Sequence, residues 1–244
     1  MELIPFTPKR FTDSELFTTD LDGKKYLVKS YLGDDAELRR ELERAKLRHW
    51  RACSFRVPNF LEDQEVALES PHLLIEFISG VNLSDALKDS SIAYEVKRGQ
   101  LEQVYLENAK RHSIALGNND KLLVHTDPNT DNILLMDHTY VTIDFEHPSK
   151  DRSILEAIAH EVATFSRRAL TDLGREHLED IVGIVNQCYT DKPDVLEKVC
   201  QLTLGRNFQF YHRFKDGKKK AKKPDLVTRY DVADSIRASL LRGR

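Results

Sequence analysis

The chain predicts an α+β fold in which strands come first and helices follow. Up to about residue 77 the apolar residues fall in short, strand-length runs interrupted by one helical stretch. From about residue 82 they recur mostly at helical spacing, apart from one hairpin near residues 132–143. Strands followed by helices mark α+β and not the regular alternation of a doubly wound sheet.

Taken in order, Glu15–Thr19 and Lys25–Tyr31 read as strands flanking Asp20-Leu21-Asp22-Gly23, whose Asp-Gly pair favours a tight hairpin turn. Asp34–Arg51 reads as a helix that Asp34 or Asp35 can cap, with a broken apolar stripe at Leu38, Leu42, Ala45 and Trp50. Val66–Glu69 and Leu73–Phe77 read as the next strands, and a helix starts at Asn82-Leu83-Ser84-Asp85. Tyr94–Leu116 is a long helix ended by Gly117-Asn118-Asn119-Asp120. Asn132–Met136 and Tyr140–Ile143 form a hairpin across Asp137-His138-Thr139. Further helices are predicted over Ile154–Leu170, Asp172–Tyr189, Pro193–Gly205 and Leu226–Leu241. Residues 215–223, with six lysines and one aspartate, read as a solvated loop.

Composition narrows the class. A chain of 244 residues fits one large domain or two lobes and can bury a core without disulfides. A net charge of −3 shows no global basic excess, which argues against a nucleic-acid partner. Cys53, Cys188 and Cys200 lack metal-type spacing, and the odd count fits reduced thiols in the cytoplasm. No apolar run approaches the roughly 18 residues of a membrane span. The N-terminal MELIPFTPKRF lacks the apolar core of a signal peptide. His160-Glu161 has no His-Glu-x-x-His spacing, so no zinc site is expected.

The chemistry is concentrated in Leu122–His147, LLVHTDPNTDNILLMDHTYVTIDFEH. An Asp/Asn-rich loop leads into the hairpin and Asp144 follows it directly, so Asp127, Asn132 and Asp144 are expected close together at sheet edges. Oxygen donors of this kind suit Mg²⁺, which takes one or two carboxylates together with substrate phosphates. His125-x-Asp127-x4-Asn132, followed twelve residues on by Asp144-Phe145-Glu146, resembles the catalytic loop and metal motif of the protein-kinase-like superfamily. Ordinary Asx-rich turn chemistry accounts for either half alone but poorly for both halves in order.

The resemblance implies a bilobal protein-kinase-like fold. A small antiparallel-sheet lobe with one helix, residues 1–79, would bind the nucleotide phosphates, and a mainly helical lobe, residues 80–244, would carry the catalytic loop, metal site and acceptor site. It implies ATP and Mg²⁺ as cofactors and phosphoryl transfer to a hydroxyl. Asp127, in the loop that His125 opens, would orient or deprotonate the acceptor hydroxyl, and Asn132 and Asp144 would hold the metal. Lys29 would contact the phosphates and pair with a glutamate of the next helix. Glu37, Glu41 and Glu43 qualify by spacing. Glu43 is favoured, with Glu41 the runner-up, because Glu43-x3-Leu47-x2-Trp50-x2-Cys53 before Val57-Pro58 resembles the corresponding helix of small bacterial and archaeal kinase-like proteins. Adenine would meet the backbone near Glu76 and Ile78, with Ile75 behind it. Lys29→Ala is expected to cost turnover more than folding.

Two departures shape the functional expectation. No Gly-x-Gly-x-x-Gly precedes Lys29, and the Asp20–Gly23 turn stands in its place with a single glycine. Only Phe145–Ser153 separate Asp144 from the next helix, with no Ala-Pro-Glu motif, unlike a regulated protein kinase. The likeness is nearest to lipopolysaccharide core sugar (Kdo and heptose) kinases and to small kinases that assist tRNA modification. A sugar, glycolipid or other small acceptor is therefore expected, and Lys215–Lys223 could steer an anionic one. Two alternatives stand beside it. One is an atypical Ser/Thr protein kinase or ATPase in a partner complex. The other is a pseudokinase binding module, favoured by the missing glycine loop and opposed by the intact Lys29, Asp127, Asn132 and Asp144.

Overall fold

The computed structural model describes residues 2–7, 14–62, 66–137, 139–205 and 209–242. The fold class is α+β, as predicted, and the chain forms two compact units. One comprises Met1–Val81 with Ile133–Pro148, the other Asn82–Asn132 with Ser149–Arg244.

The first unit holds a five-stranded antiparallel sheet of β1 (Ile4–Pro5), β2 (Ser14–Leu21), β3 (Lys24–Tyr31), β4 (Phe60–Leu61) and β5 (His72–Glu76), in the order β1-β2-β3-β5-β4. β2 and β3 pair along their full length. Asp22 and Gly23 join them with φ of 51° and 75°, the two-residue turn whose twist matches paired strands. Val28, Val66 and Leu74 centre the apolar core of this sheet. The strand expected at Val66–Glu69 is absent. The Leu68 N–H bonds to the Val66 carbonyl at 2.7 Å, a local turn that cannot continue a ladder, and Phe60–Leu61 pairs with β5 instead.

The helix α1 (Ala36–Ala52) follows β3. Asp35 stands at its N-cap without a side-chain cap bond. Its buried face is Ala36, Arg39, Glu43, Lys46, Leu47 and Trp50, while Leu38 is 63% exposed and Ala45 is exposed. The expected stripe through Leu38 and Ala45 is thus displaced around the helix, because three charged side chains find partners on the inner face. The hairpin of β7 (Ile133–Met136) and β8 (Thr139–Thr142) groups with this unit for identifiable reasons. Phe145 packs edge-on against Trp50 at 4.7 Å, the Thr142 N–H bonds to the Arg56 carbonyl, and a Cβ on Gly80 would lie 2.6 Å from the Leu135 carbonyl oxygen.

The chain passes into the second unit at β6 (Val81–Asn82), followed by α2 (Leu83–Lys88) and α3 (Tyr94–Asn118). Asn119, in the left-handed region at φ 51°, ends α3. Next come α4 (Ile154–Leu173), α5 (Leu178–Cys188), α6 (Pro193–Leu204), α7 (Gln209–Lys222) and α8 (Arg229–Arg242). A reciprocal Ser153/Glu156 capping box starts α4. The single helix expected over Asp172–Tyr189 is divided at Gly174, whose φ of 124° breaks the helical path. Ile158, Val162 and Phe165 of α4, Val195 and Val199 of α6, and Val232 and Ile236 of α8 are buried where these helices pack. Most of the lysine-rich segment is helix, not loop. Lysine and alanine are good helix formers, and α7 is tied to α8 through Arg213–Asp234 and Lys220–Asp231.

Candidate active site

Lys29 lies in β3 between Leu16 of β2 and Leu73 of β5, and only 6% of it is exposed. Its Nζ is 2.8 Å from Glu43, 2.9 Å from Asp144 and 3.2 Å from Glu146. Tyr31, two residues along and so on the same face of the strand, donates its hydroxyl to Glu43 at 2.6 Å. The second Glu43 oxygen accepts the Phe145 N–H at 3.2 Å. Glu43 is therefore the helix glutamate that reaches Lys29, whereas Glu37 and Glu41 are exposed and pair with Arg40. Burial opposes the Lys29 charge, but Glu43, then Asp144 and Glu146, outweigh it and hold the pKa well above the lysine range. Lys29 is an ammonium at any physiological pH. Burial and then Glu43 push the Tyr31 hydroxyl far above its ordinary value.

Asp144 follows β8 with φ 66°, a left-handed conformation that few side chains adopt. After this turn, neighbouring side chains reach different partners: Asp144 meets Lys29, Phe145 meets Trp50 and Glu146 meets Arg39. Glu146 is the residue that sequence reasoning did not place in the site. It is buried and accepts from Arg39 Nη2 at 2.8 Å and Ser14 Oγ at 3.1 Å. The signals for it were its place in Asp144-Phe145-Glu146 and the helical spacing of Arg39, Glu43 and Lys46, since charges on a buried face require partners. Glu43, Asp144 and Glu146 bring carboxylate oxygens within 4.8 Å of one another, with the Lys29 ammonium among them.

The predicted adenine contacts fall at the end of β5. Ile75 is buried, and the Glu76 carboxylate is taken by Asn59 at 2.7 Å. Ile78 is half-buried just beyond the strand, and its N–H meets no partner among the described residues.

In the second unit, one buried carboxylate anchors the start of the predicted catalytic loop. Glu161 of α4 binds Arg111 of α3, accepts the His125 N–H at 2.8 Å and lies 3.1 Å from His112 Nε2. Arg111 also donates to the Leu123 carbonyl. Burial opposes the Glu161 charge, but Arg111 and then His112 hold its pKa well below the carboxylate range. Burial holds His112 below the usual histidine value, with its Nδ1 2.7 Å from the Tyr189 hydroxyl. At the far end of the loop, Thr130 bonds to Asp172 at 2.5 Å and Asn82 to the Asp131 carbonyl at 2.5 Å. Between these anchors Asp127 is half-buried. Asn132 Nδ2 donates to its backbone carbonyl at 3.0 Å and to its Oδ2 at 3.1 Å. Within this unit Asp127 and Asn132 are together; within the first, Lys29, Glu43 and Asp144 are together.

No protein-family model and no curated protein matches the chain. Among solved structures it is similar to WaaP in complex with acyl carrier protein, at 15% identity and a TM-score of 0.40, covering 80% of this chain and 89% of that one.

Proposed function

We propose that this protein is an ATP-dependent phosphotransferase whose acceptor is a hydroxyl of a sugar, glycolipid or other small molecule. The observation that carries this reading is the Lys29 cluster. A buried structural lysine needs one counter-ion, and Lys29 has three, of which Asp144 is the most accessible, with 27% of its side chain exposed. Phosphate oxygens arriving at Lys29 would take over the contacts Asp144 now makes. Glu43, held by Tyr31 and the Phe145 N–H, keeps the ammonium in place.

Asp144 and Asn132 would be the oxygen donors to Mg²⁺, as the motif assigns them, completed by phosphate oxygens. The ion supplies positive charge to the transferring phosphoryl group. Asp127 would orient the acceptor hydroxyl and receive its proton, with Asn132 fixing the carboxylate and His125 fixing the loop through its N–H. The Ile78 N–H would donate to adenine. The short stretch between Asp144 and α4 supports a small acceptor over a docked polypeptide. The missing glycine loop favours one second reading, a nucleotide-binding module without turnover, and the intact Lys29, Asp127, Asn132 and Asp144 oppose it.

An acceptor screen with radiolabelled ATP, run beside ATP titrations, separates the two. Asp127→Asn should lower kcat by about 10²–10⁴-fold with ATP affinity nearly unchanged. Asp144→Asn should also lose the thermal stabilisation given by ATP with Mg²⁺. If Asp127→Asn instead lost ATP binding and kept its rate per bound nucleotide, the assigned roles would be wrong. If wild type bound ATP but transferred phosphate to no acceptor and not to water, the binding-module reading would stand.

A further inference from the structure

The lysine-rich helix α7 presents three distinct arcs. Arg213 and Lys220, two turns apart, face α8 and bind Asp234 and Asp231 at 2.9 and 2.6 Å. This arc attaches the helix. Phe210, Phe214, Gly217 and Ala221 recur at helical spacing on a second arc, and all four are exposed. Phe210 is 85% exposed and Phe214 53%, although nothing in α7 requires a phenylalanine in water. Lys215, Lys218, Lys219 and Lys222 share a third arc, also exposed. Lys218 and Lys215 lean over the Phe214 and Tyr211 rings at 4.7 and 4.8 Å, so the ammonium groups border the aromatic arc.

We propose that α7 is a docking helix for a bilayer rich in anionic lipid. Phe210 and Phe214 enter the boundary between headgroups and acyl chains, and the lysine arc lies among the lipid phosphates. An apolar arc beside a basic arc on one helix is the pattern of an interfacial helix. A single-stranded RNA surface would instead interleave aromatic and basic groups along a groove. An apolar protein partner would have no use for four adjacent lysines. The charge is local, since the whole chain carries −3 while residues 215–223 hold six lysines against one aspartate. The described helices contain no apolar membrane span, so contact would be at the surface.

Flotation of the full chain with vesicles tests this. Wild type should float with phosphatidylcholine–phosphatidylglycerol vesicles, much less with pure phosphatidylcholine, and be released by salt. Single Lys→Gln changes at 215, 218 or 222 should each weaken partitioning about fivefold. The double change Phe210→Ser with Phe214→Ser should abolish flotation and leave the circular dichroism spectrum and Tm at wild-type values. Failure of wild type to float with the anionic vesicles overturns the proposal. So does unaltered flotation of the double variant, or retention of a single-stranded RNA oligonucleotide by a chain that ignores vesicles.

Discussion

Lys29 is shared by Glu43, Asp144 and Glu146, and this changes what its replacement measures. The strand pattern alone predicts that Lys29→Ala spares the fold. The structure predicts that it does not, because the change removes the ammonium that buried Glu43 and Glu146 share and leaves Arg39 on Glu146. A loss of about 3 kcal/mol is expected, reduced to the extent that Asp144 reaches solvent. Lys29→Arg keeps the charge but replaces a compact ammonium with a planar fork. It should retain most of the stability and little of the turnover. Denaturant unfolding of the three proteins beside a steady-state assay checks both halves. A Lys29→Ala protein with the wild-type midpoint would show that the ion cluster contributes nothing to the fold.

At the scale of the element, α1 is an amphipathic helix whose inner face is partly ionic. Glu43 and Glu41 are two residues apart but point to different surroundings. Glu43→Gln should cost about 2–3 kcal/mol and most of the activity, since it weakens a buried hydrogen-bonded charge. Glu41→Gln should stay within about 0.5 kcal/mol of wild type, as exposed pairs do. Comparable effects from the two would contradict the placement of the helix face. The hairpin has its own test. Gly80→Ala puts a Cβ 2.6 Å from the Leu135 carbonyl oxygen, and backbone cannot yield as a side chain does. The predicted loss is about 1–3 kcal/mol by thermal unfolding, against a gain of about 0.5–1 kcal/mol for Gly99→Ala, inside α3, whose Cβ meets nothing.

For the whole molecule, the buried groups around Glu161 set the response to acid. His112 has a lowered folded pKa, so it favours the fold above the unfolded histidine value and loses that contribution as pH falls below about 6.5. Glu161 is also lowered, so its contribution is present above the unfolded value and is lost as pH falls from about 4.3 toward its folded pKa. The Tm should therefore decline in two stages on acidification. His112→Gln should remove the upper stage. Glu161→Gln should cost about 3 kcal/mol already at neutral pH, because Arg111 is left buried with its main counter-charge gone, and should flatten the lower stage. A Tm independent of pH across this range would contradict both assignments.

The sequence by itself determined the order of most strands and helices and the Asp22-Gly23 turn, and it named candidate site residues. These are properties of neighbours in the chain, carried by periodicity, turn chemistry and motif spacing. It also favoured Glu43 over Glu41, but through a resemblance and not through a physical constraint. Only the tertiary structure decided that Glu43 meets Lys29 and that Glu146 joins them. It also decided that α1 turns Leu38 outward to bring Arg39 inward, and that β4 forms at Phe60. The apolar pattern of a helix indicates which face is on average hydrophobic. It does not register a buried charge whose partner, as for Arg39 and Glu146, lies 107 residues away and is brought within 2.8 Å only by packing.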